Sequence, residues 1–260
     1  MSEISARKRL LHMMSHGQKP LGIFISSVDP AVTQIMGNVG FDYVVIDNEH
    51  GRNDRKDVEN HVRAAAVAGI TVFVRILDNS QPLIQSMLDV GADGVVVPHI
   101  DTADDARRAV EASYYAPRGK RGTCPACHSG DYTLDNWIAK TRAADDNVMV
   151  IPILESRKSI ANIADILTVQ GIDIVHFGPG DLSADMGLDL NVDVHLLQQA
   201  WQTALTATHA AGKRMLAPIG FGFDKADMFI SPMDYMLLND VATKMVADHK
   251  ASLYREKATI

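Results

Sequence analysis

The chain is short of cysteine, of long apolar runs and of basic stretches, and each shortage removes a class of protein. Cys124 and Cys127 are its two cysteines, too few for a disulfide framework of the kind that staples small secreted folds. No stretch approaches the roughly 18 uninterrupted apolar residues that a membrane helix requires. Near the amino terminus, Arg7, Lys8 and Arg9 precede an apolar patch of Leu10, Leu11, Met13 and Met14 that is broken by His12, Ser15 and His16. That patch is too short for the apolar region of a signal peptide, so a cytoplasmic location is expected. The net charge is −7, and no Lys/Arg-rich stripe with interleaved aromatics is present, which argues against nucleic acid as a partner. A glycine-rich dinucleotide turn is missing too, because the first apolar run leads into Ser26-Ser27-Val28-Asp29-Pro30.

What remains is the composition of an ordinary globular chain, 47% hydrophobic and 22% charged over 260 residues. Short apolar, β-branched runs alternate with helical patterns from end to end. The runs are Leu21–Ile25, Tyr43–Ile46, Thr71–Ile76, Gly94–Val97, Val148–Leu154, Ile172–Phe177, Met215–Ile219 and Tyr235–Leu238. Their continuous hydrophobicity, without polar alternation, suits parallel strands covered on both faces. Helices are expected at Arg55–Ala68, Ala103–Ala112, Ser159–Thr168 and Val194–Ala211, with Asp101-Thr102 as a start signal and Gly171 and Gly212 as stops. Eight βα units in one chain of this length predict a single α/β domain over residues 1–260, a (β/α)8 TIM barrel. The irregular stretch is Ser113 to Asn136, a long loop after the fourth strand.

Barrel active sites sit at the carboxyl ends of the strands, and four of the predicted strands run into ionisable groups there. Strand two ends in Asp47-Asn48-Glu49-His50-Gly51, strand three in Val74-Arg75-Ile76, strand five in Leu154-Glu155-Ser156, and strand six in Gly178-Pro179-Gly180-Asp181-Leu182-Ser183. Arg75 lies inside an apolar run, where a guanidinium needs an anionic partner. It is either one half of a structural ion pair with a barrel carboxylate or a fork for a substrate carboxylate or oxyanion. Glu155 and Asp181, on neighbouring strand ends, form an oxygen pair of the type that Mg²⁺ or Mn²⁺ takes. Taken singly, each reads equally well as a helix or turn cap. Asp47 and His50 are close enough for a carboxylate to orient an imidazole as a general base, with Glu49 placed to hold water on the metal. His99 borders strand four and is as well suited to a structural role, and His176, inside strand six, is assigned to the core. No strand end carries a lysine for Schiff-base chemistry. Cys124-Pro125-Ala126-Cys127-His128 matches the haem c attachment pattern, but without an export signal chance is the leading reading, ahead of a partial zinc site or a substrate-specificity loop.

At these residues the chain resembles the HpcH/HpaI family of metal-dependent 2-oxo acid aldolases, relatives of the citrate lyase β subunit. The resemblance covers almost the whole chain. It rests on Ile46-Asp47-Asn48-Glu49-His50, Phe73-Val74-Arg75, Leu88-Asp89-Val90-Gly91-Ala92, Val97-Pro98, Arg121-Gly122, Leu154-Glu155 and Gly178-Pro179-Gly180-Asp181-Leu182-Ser183. Their order and spacing look like the family's, with 25 residues from His50 to Arg75 and 26 from Glu155 to Asp181.

The resemblance implies reversible cleavage of a 4-hydroxy-2-oxo acid to pyruvate and an aldehyde. Glu155 and Asp181 would hold Mg²⁺, Mn²⁺ or Co²⁺. Arg75 would stabilise the enolate oxygen, His50 with Asp47 would take the alcohol proton, and backbone N–H groups around Gly180 and Asp181 would hold the pyruvate carboxylate. Asp89 resembles an aspartate that closes a neighbouring subunit's site. The last helix, predicted over residues 241–254, would pack on another subunit of a homo-oligomer, usually a hexamer built as a trimer of dimers. Two departures stand out: Ile153 occupies a position where the family often has glutamine, and the segment after Arg121-Gly122 is the cysteine loop. Rival readings are a CoA-thioester lyase, a metal-dependent decarboxylase or a Diels–Alder-type synthase of the same superfamily, and a non-catalytic carboxylate-binding barrel.

Overall fold

The computed structural model describes residues 5–257. Eight parallel strands close into a barrel, each bonded to its sequence neighbours and the first to the last. They are β1 (Leu21–Ile25), β2 (Tyr43–Asp47), β3 (Thr71–Arg75), β4 (Gly94–Val97), β5 (Met149–Leu154), β6 (Ile174–Phe177), β7 (Arg214–Pro218) and β8 (Met228–Ser231). The helices are α1 (Ala6–Ser15), α2 (Pro30–Val39), α3 (Arg55–Ala68), α4 (Gln81–Asp89), α5 (Ala103–Ser113), α6 (Trp137–Asn147), α7 (Arg157–Ala161), α8 (Ile163–Leu167), α9 (Pro179–Met186), α10 (Leu190–Asp193), α11 (Gln198–Ala210) and α12 (Asp234–Lys257). Single 3₁₀ turns lie at His128–Gly130 and Val194–Leu197. Among the described residues no helix is long and apolar enough to cross a membrane.

Local chemistry explains the boundaries. Asp54 with Asp57 and Thr102 with Asp105 form reciprocal caps at the starts of α3 and α5, satisfying N–H groups that the helix leaves open. Gly171 and Gly212 take φ of +93° and +70°, where a Cβ would be strained. The helix expected over Ser159–Thr168 is divided at Asn162 into α7 and α8, and that expected from Val194 begins as a 3₁₀ turn.

The first seven strands lie within two residues of the expected runs, and the eighth does not. Tyr235–Leu238 is the first turn of α12, and the closing strand is Met228–Ser231, which pairs with both β7 and β1. A four-residue apolar run fits one turn of helix as well as a short strand. Asp234, whose carboxylate accepts the Ser26, Ser27 and Tyr235 N–H groups, fixes it as helix.

Strand side chains alternate between two apolar layers. One face packs under the helices, with Ile23, Val44, Val74, Val95 and Val175 all buried. The other fills the barrel with Val45, Phe73, Val96, Ile151, Ile153, Ile174 and Leu216, closed at the amino-terminal end by Leu10 and Met14 of α1. At the other end of the chain, every residue of α12 from Tyr235 to Ser252 is exposed. The apolar face expected there therefore lies open at Val241, Met245 and Val246, while the Leu253 and Tyr254 side chains fall outside the described residues.

Candidate active site

Asp47 and Arg75 end β2 and β3 directly in register, so alternation turns both into the barrel. There the guanidinium grips the carboxylate with both arms, Nε to Oδ1 and Nη2 to Oδ2, each at 2.9 Å. Asp47 is wholly buried and Arg75 nearly so. The fork-to-fork geometry is what makes such burial tolerable. Arg75 also lies over the Phe24 ring, 4.7 Å from its centroid, and places Nη1 3.2 Å from Glu49 Oε2. The structural ion pair foreseen for Arg75 is therefore present.

From Glu49 the polar chain continues round the rim. His99 follows β4 with φ +55°, an uncommon conformation that histidine tolerates better than most residues. This turn aims its N–H at Glu155 Oε1, 2.6 Å away. Its imidazole spans two carboxylates, with Nδ1 3.2 Å from Glu155 and Nε2 3.6 Å from Glu49. Glu155 is buried, and burial pushes its carboxyl up to about 7 against the pull of His99, with Asp181 and Glu49 adding like charge. Burial raises the Glu49 carboxyl as well, opposed by Arg75. Asp181 is exposed in the first turn of α9. Gly178 permits the close approach of β5 and β6, since a Cβ there would fall 2.7 Å from Ile153 and 2.9 Å from Glu155.

Neither metal candidate serves as a helix cap. Ser156 caps α7, and no side chain caps α9. The like charge that Asp181 exerts on Glu155 is of the kind a cation between them would relieve, and their all-oxygen character suits a hard divalent one. Among the described residues no three His, Cys, Asp or Glu side chains converge on one point as ligands. A cation at Glu155 and Asp181 would complete its shell with water or ligand oxygens.

One expectation needs correction, and the structure places Asp89 and the cysteine loop. Asp47 does not touch the His50 imidazole: it receives Arg75 and accepts the Glu49 and His50 N–H groups at 3.2 and 3.3 Å. The His50 side chain stays 62% exposed with Glu49 Oε2 its nearest acid, 3.9 Å away, because strand alternation points Asp47 inward while His50 sits in the loop beyond. Asp89 lies at the end of α4, away from the rim of its own barrel, paired with Arg121 at 2.9 Å. In the cysteine loop, His128 packs against Gly91, where a Cβ would fall 2.4 Å from Nδ1, and Cys127 Sγ contacts the Cys124 carbonyl and Ser129 Oγ.

One residue is more engaged than the sequence indicated: His99 ties two carboxylates together. His176 is buried in the core as assigned, on the inward face of β6 with Ile174, its ring 6.2 Å from Phe24.

Comparison with known proteins supplies the family. The HpcH/HpaI aldolase/citrate lyase family model matches residues 20–246. A 2-keto-3-deoxy-L-rhamnonate aldolase of Escherichia coli is 33% identical over 201 residues, covering 76% of this chain and 73% of its own. The crystal structure of an HpcH/HpaI aldolase from Desulfitobacterium hafniense superposes with a TM-score of 0.86 at 27% identity, over 93% of this chain and 96% of that one. The citrate synthase SbnG superposes with a TM-score of 0.84 at 26% identity, over 96% of this chain and 99% of that one. With a family match across most of its length and the barrel to go with it, the chain belongs to the HpcH/HpaI aldolase/citrate lyase family and is a carbon–carbon lyase.

Proposed function

We propose that the protein is a class II aldolase that reversibly cleaves a 4-hydroxy-2-oxo acid into pyruvate and an aldehyde, with a divalent metal held by Glu155 and Asp181. The observation that carries this reading is the polar chain across the barrel mouth, Asp47–Arg75–Glu49–His99–Glu155, in which a paired guanidinium and a crowded acidic site face one opening. The substrate of the Escherichia coli relative, a 2-keto-3-deoxy sugar acid, supports the same substrate class.

Retro-aldol cleavage leaves negative charge on the 2-oxo oxygen, and stabilising that charge is the largest demand on the site. Bound Mg²⁺, Mn²⁺ or Co²⁺ would supply Lewis-acid polarisation of the oxo group. Arg75, held still by Asp47 and Phe24, keeps N–H groups beyond those given to Asp47 and offers them to the same oxygen. Gly180 leaves the space beside the first turn of α9 open, no atom lying within 4 Å of where its Cβ would be, and the N–H groups of Gly180 and Asp181 would receive the substrate carboxylate there. His50, exposed at the rim, takes the proton of the cleaved alcohol, and Glu49 would orient water at the metal site. Lys120 pairs with Glu111, and Lys213 gives its ammonium to the Val169 and Ile172 carbonyls, so neither is placed for a Schiff base. Assembly through α12 into a hexamer, a trimer of dimers in which Asp89 serves a neighbouring site, belongs to the same reading.

EDTA should abolish turnover, and Mg²⁺, Mn²⁺ or Co²⁺ should restore it, while borohydride with pyruvate should trap nothing. His50→Ala should lower aldol cleavage by about 10²–10⁴-fold, the usual range for a general base, and spare oxaloacetate decarboxylation, which has no alcohol proton to remove. Arg75→Ala should damage both reactions similarly. A trapped lysine adduct, or equal loss of both reactions in His50→Ala, would refute the respective assignments.

A further inference from the structure

The floor of the barrel mouth contains a polar group that the reaction described above leaves unused. His176 on β6 stands in register with Ile153 on β5, two residues before Glu155. It is 5% exposed, and no side-chain hydrogen bond engages its ring: Nδ1 is enclosed without a partner, so Nε2 is the nitrogen through which the ring can meet a ligand.

Its surroundings indicate what completes it. Arg75 is close enough for its charge to act on the ring, and burial and that charge together bring the imidazole down to about 3. It is therefore uncharged at neutral pH, with one nitrogen able to donate and the other to accept. Phe24 lies beneath Arg75 and beside His176, so guanidinium, phenyl and imidazole form one continuous floor. Asp47 and Arg75 are engaged with one another and Glu49 lies 3.2 Å from the guanidinium, while Phe24 and Ile153 offer no hydrogen bond. His176 is the neutral polar group among them.

We propose that His176 is a substrate-binding residue whose imidazole hydrogen-bonds an oxygen of the 2-oxo acid lying on this floor beside Arg75. A charged fork and a neutral imidazole on one oxygen fix its direction more tightly than the fork alone, and with it the plane of the acid. The strand beside it presents Ile153, so in this chain the polar contact comes from β6 rather than β5. The inference rests on the aldolase reading of the site.

The test is calorimetric titration of the Mg²⁺-loaded protein with pyruvate and with oxalate, a planar mimic of the enolate, alongside steady-state oxaloacetate decarboxylation. In His176→Phe, oxalate affinity should fall about 10–100-fold, the worth of a hydrogen bond to a charged group. The KM for oxaloacetate should rise more than kcat falls, and the melting temperature should hold or rise because an unpaired polar atom has gone. Adding Ile153→Gln to that variant should recover part of the affinity by supplying the contact from the adjacent strand. Oxalate affinity and KM unchanged in a folded His176→Phe protein would overturn the assignment, and His176→Leu provides the same comparison should the phenylalanine not fit. Failure of the unmodified protein to bind either ligand would instead overturn the aldolase reading.

Discussion

Asp47→Asn isolates the interaction that holds Arg75 in place. The carboxylate is wholly buried and receives four donors, Arg75 Nε and Nη2 at 2.9 Å and the Glu49 and His50 N–H groups at 3.2 and 3.3 Å. An asparagine of the same shape keeps one acceptor oxygen and turns an NH₂ toward the guanidinium, donor against donor. One arm of the fork is lost, and the buried positive charge is left with Glu49 alone. Removing one partner of a buried pair costs about 3–5 kcal/mol, and Glu49, 3.2 Å from Nη1, keeps the loss near the lower end. For a chain of this size about 3 kcal/mol lowers the melting temperature by roughly 6–12 °C. Freed from its grip, Arg75 should also lose aldol and decarboxylase activity together. The assay is thermal and urea unfolding at fixed protein and metal concentration, with both activities measured on the folded variant. The double variant Asp47→Leu, Arg75→Met should regain much of the stability while remaining inactive, since apolar replacement of a buried pair is often neutral or better. A single variant melting within about 2 °C of the unmodified protein would refute the argument, because it would leave less than roughly 1 kcal/mol for the pair.

Three further outcomes are expected. Glu155 binds its proton more tightly folded (about 7) than as a free carboxyl near 4.5, so in EDTA its contribution to stability should fall as pH rises through that window. Asp93, raised to about 6, acts in the same sense and His61 and His176, both lowered, in the opposite one. The informative quantity is thus the difference between the protein and Glu155→Gln, and identical pH profiles would exclude Glu155. Light scattering should show an oligomer at micromolar concentration that dissociates on Val241→Asp with Met245→Asp, and a monomeric unmodified protein would contradict the docking of α12. Elemental analysis of Cys124→Ser with Cys127→Ser should show no loss of bound metal, because a closed zinc site needs four ligands and this loop offers three.

The repeating pattern of the barrel was legible because fully buried parallel strands are apolar on both faces, and seven such runs stand clear of their surroundings. The eighth differs because Tyr235-Met236-Leu237-Leu238 is as apolar as Met228-Phe229-Ile230-Ser231, and the arbiter, Asp234, takes its partners Ser26 and Ser27 from more than 200 residues away. The same limit applies at the site. Rim residues could be named from their place after each strand, but partnership could not. Asp47 and His50 are near in sequence yet diverge, whereas Asp47 and Arg75 meet because β2 and β3 are in register. The His99 turn depends on a positive φ that no sequence pattern announces.

The seam between β1 and β8 also bears on how the molecule forms. Every other strand pairing joins neighbours in sequence, whereas the seam brings together segments about 200 residues apart. It is reinforced beyond the strand bonds: Lys19 donates to the Ala226 carbonyl, Tyr43 to that of Phe229, and the Ser26 and Ser27 amides to Asp234. Contacts that close the longest loop return nothing until the rest is ordered, so these bonds form late. Their loss then falls mainly on the rate of opening and little on the rate of closing. Asp234→Ala should accordingly steepen loss of structure in unfolding kinetics while refolding proceeds at nearly its usual speed. The seam thus governs the lifetime of the closed barrel rather than the speed of its formation.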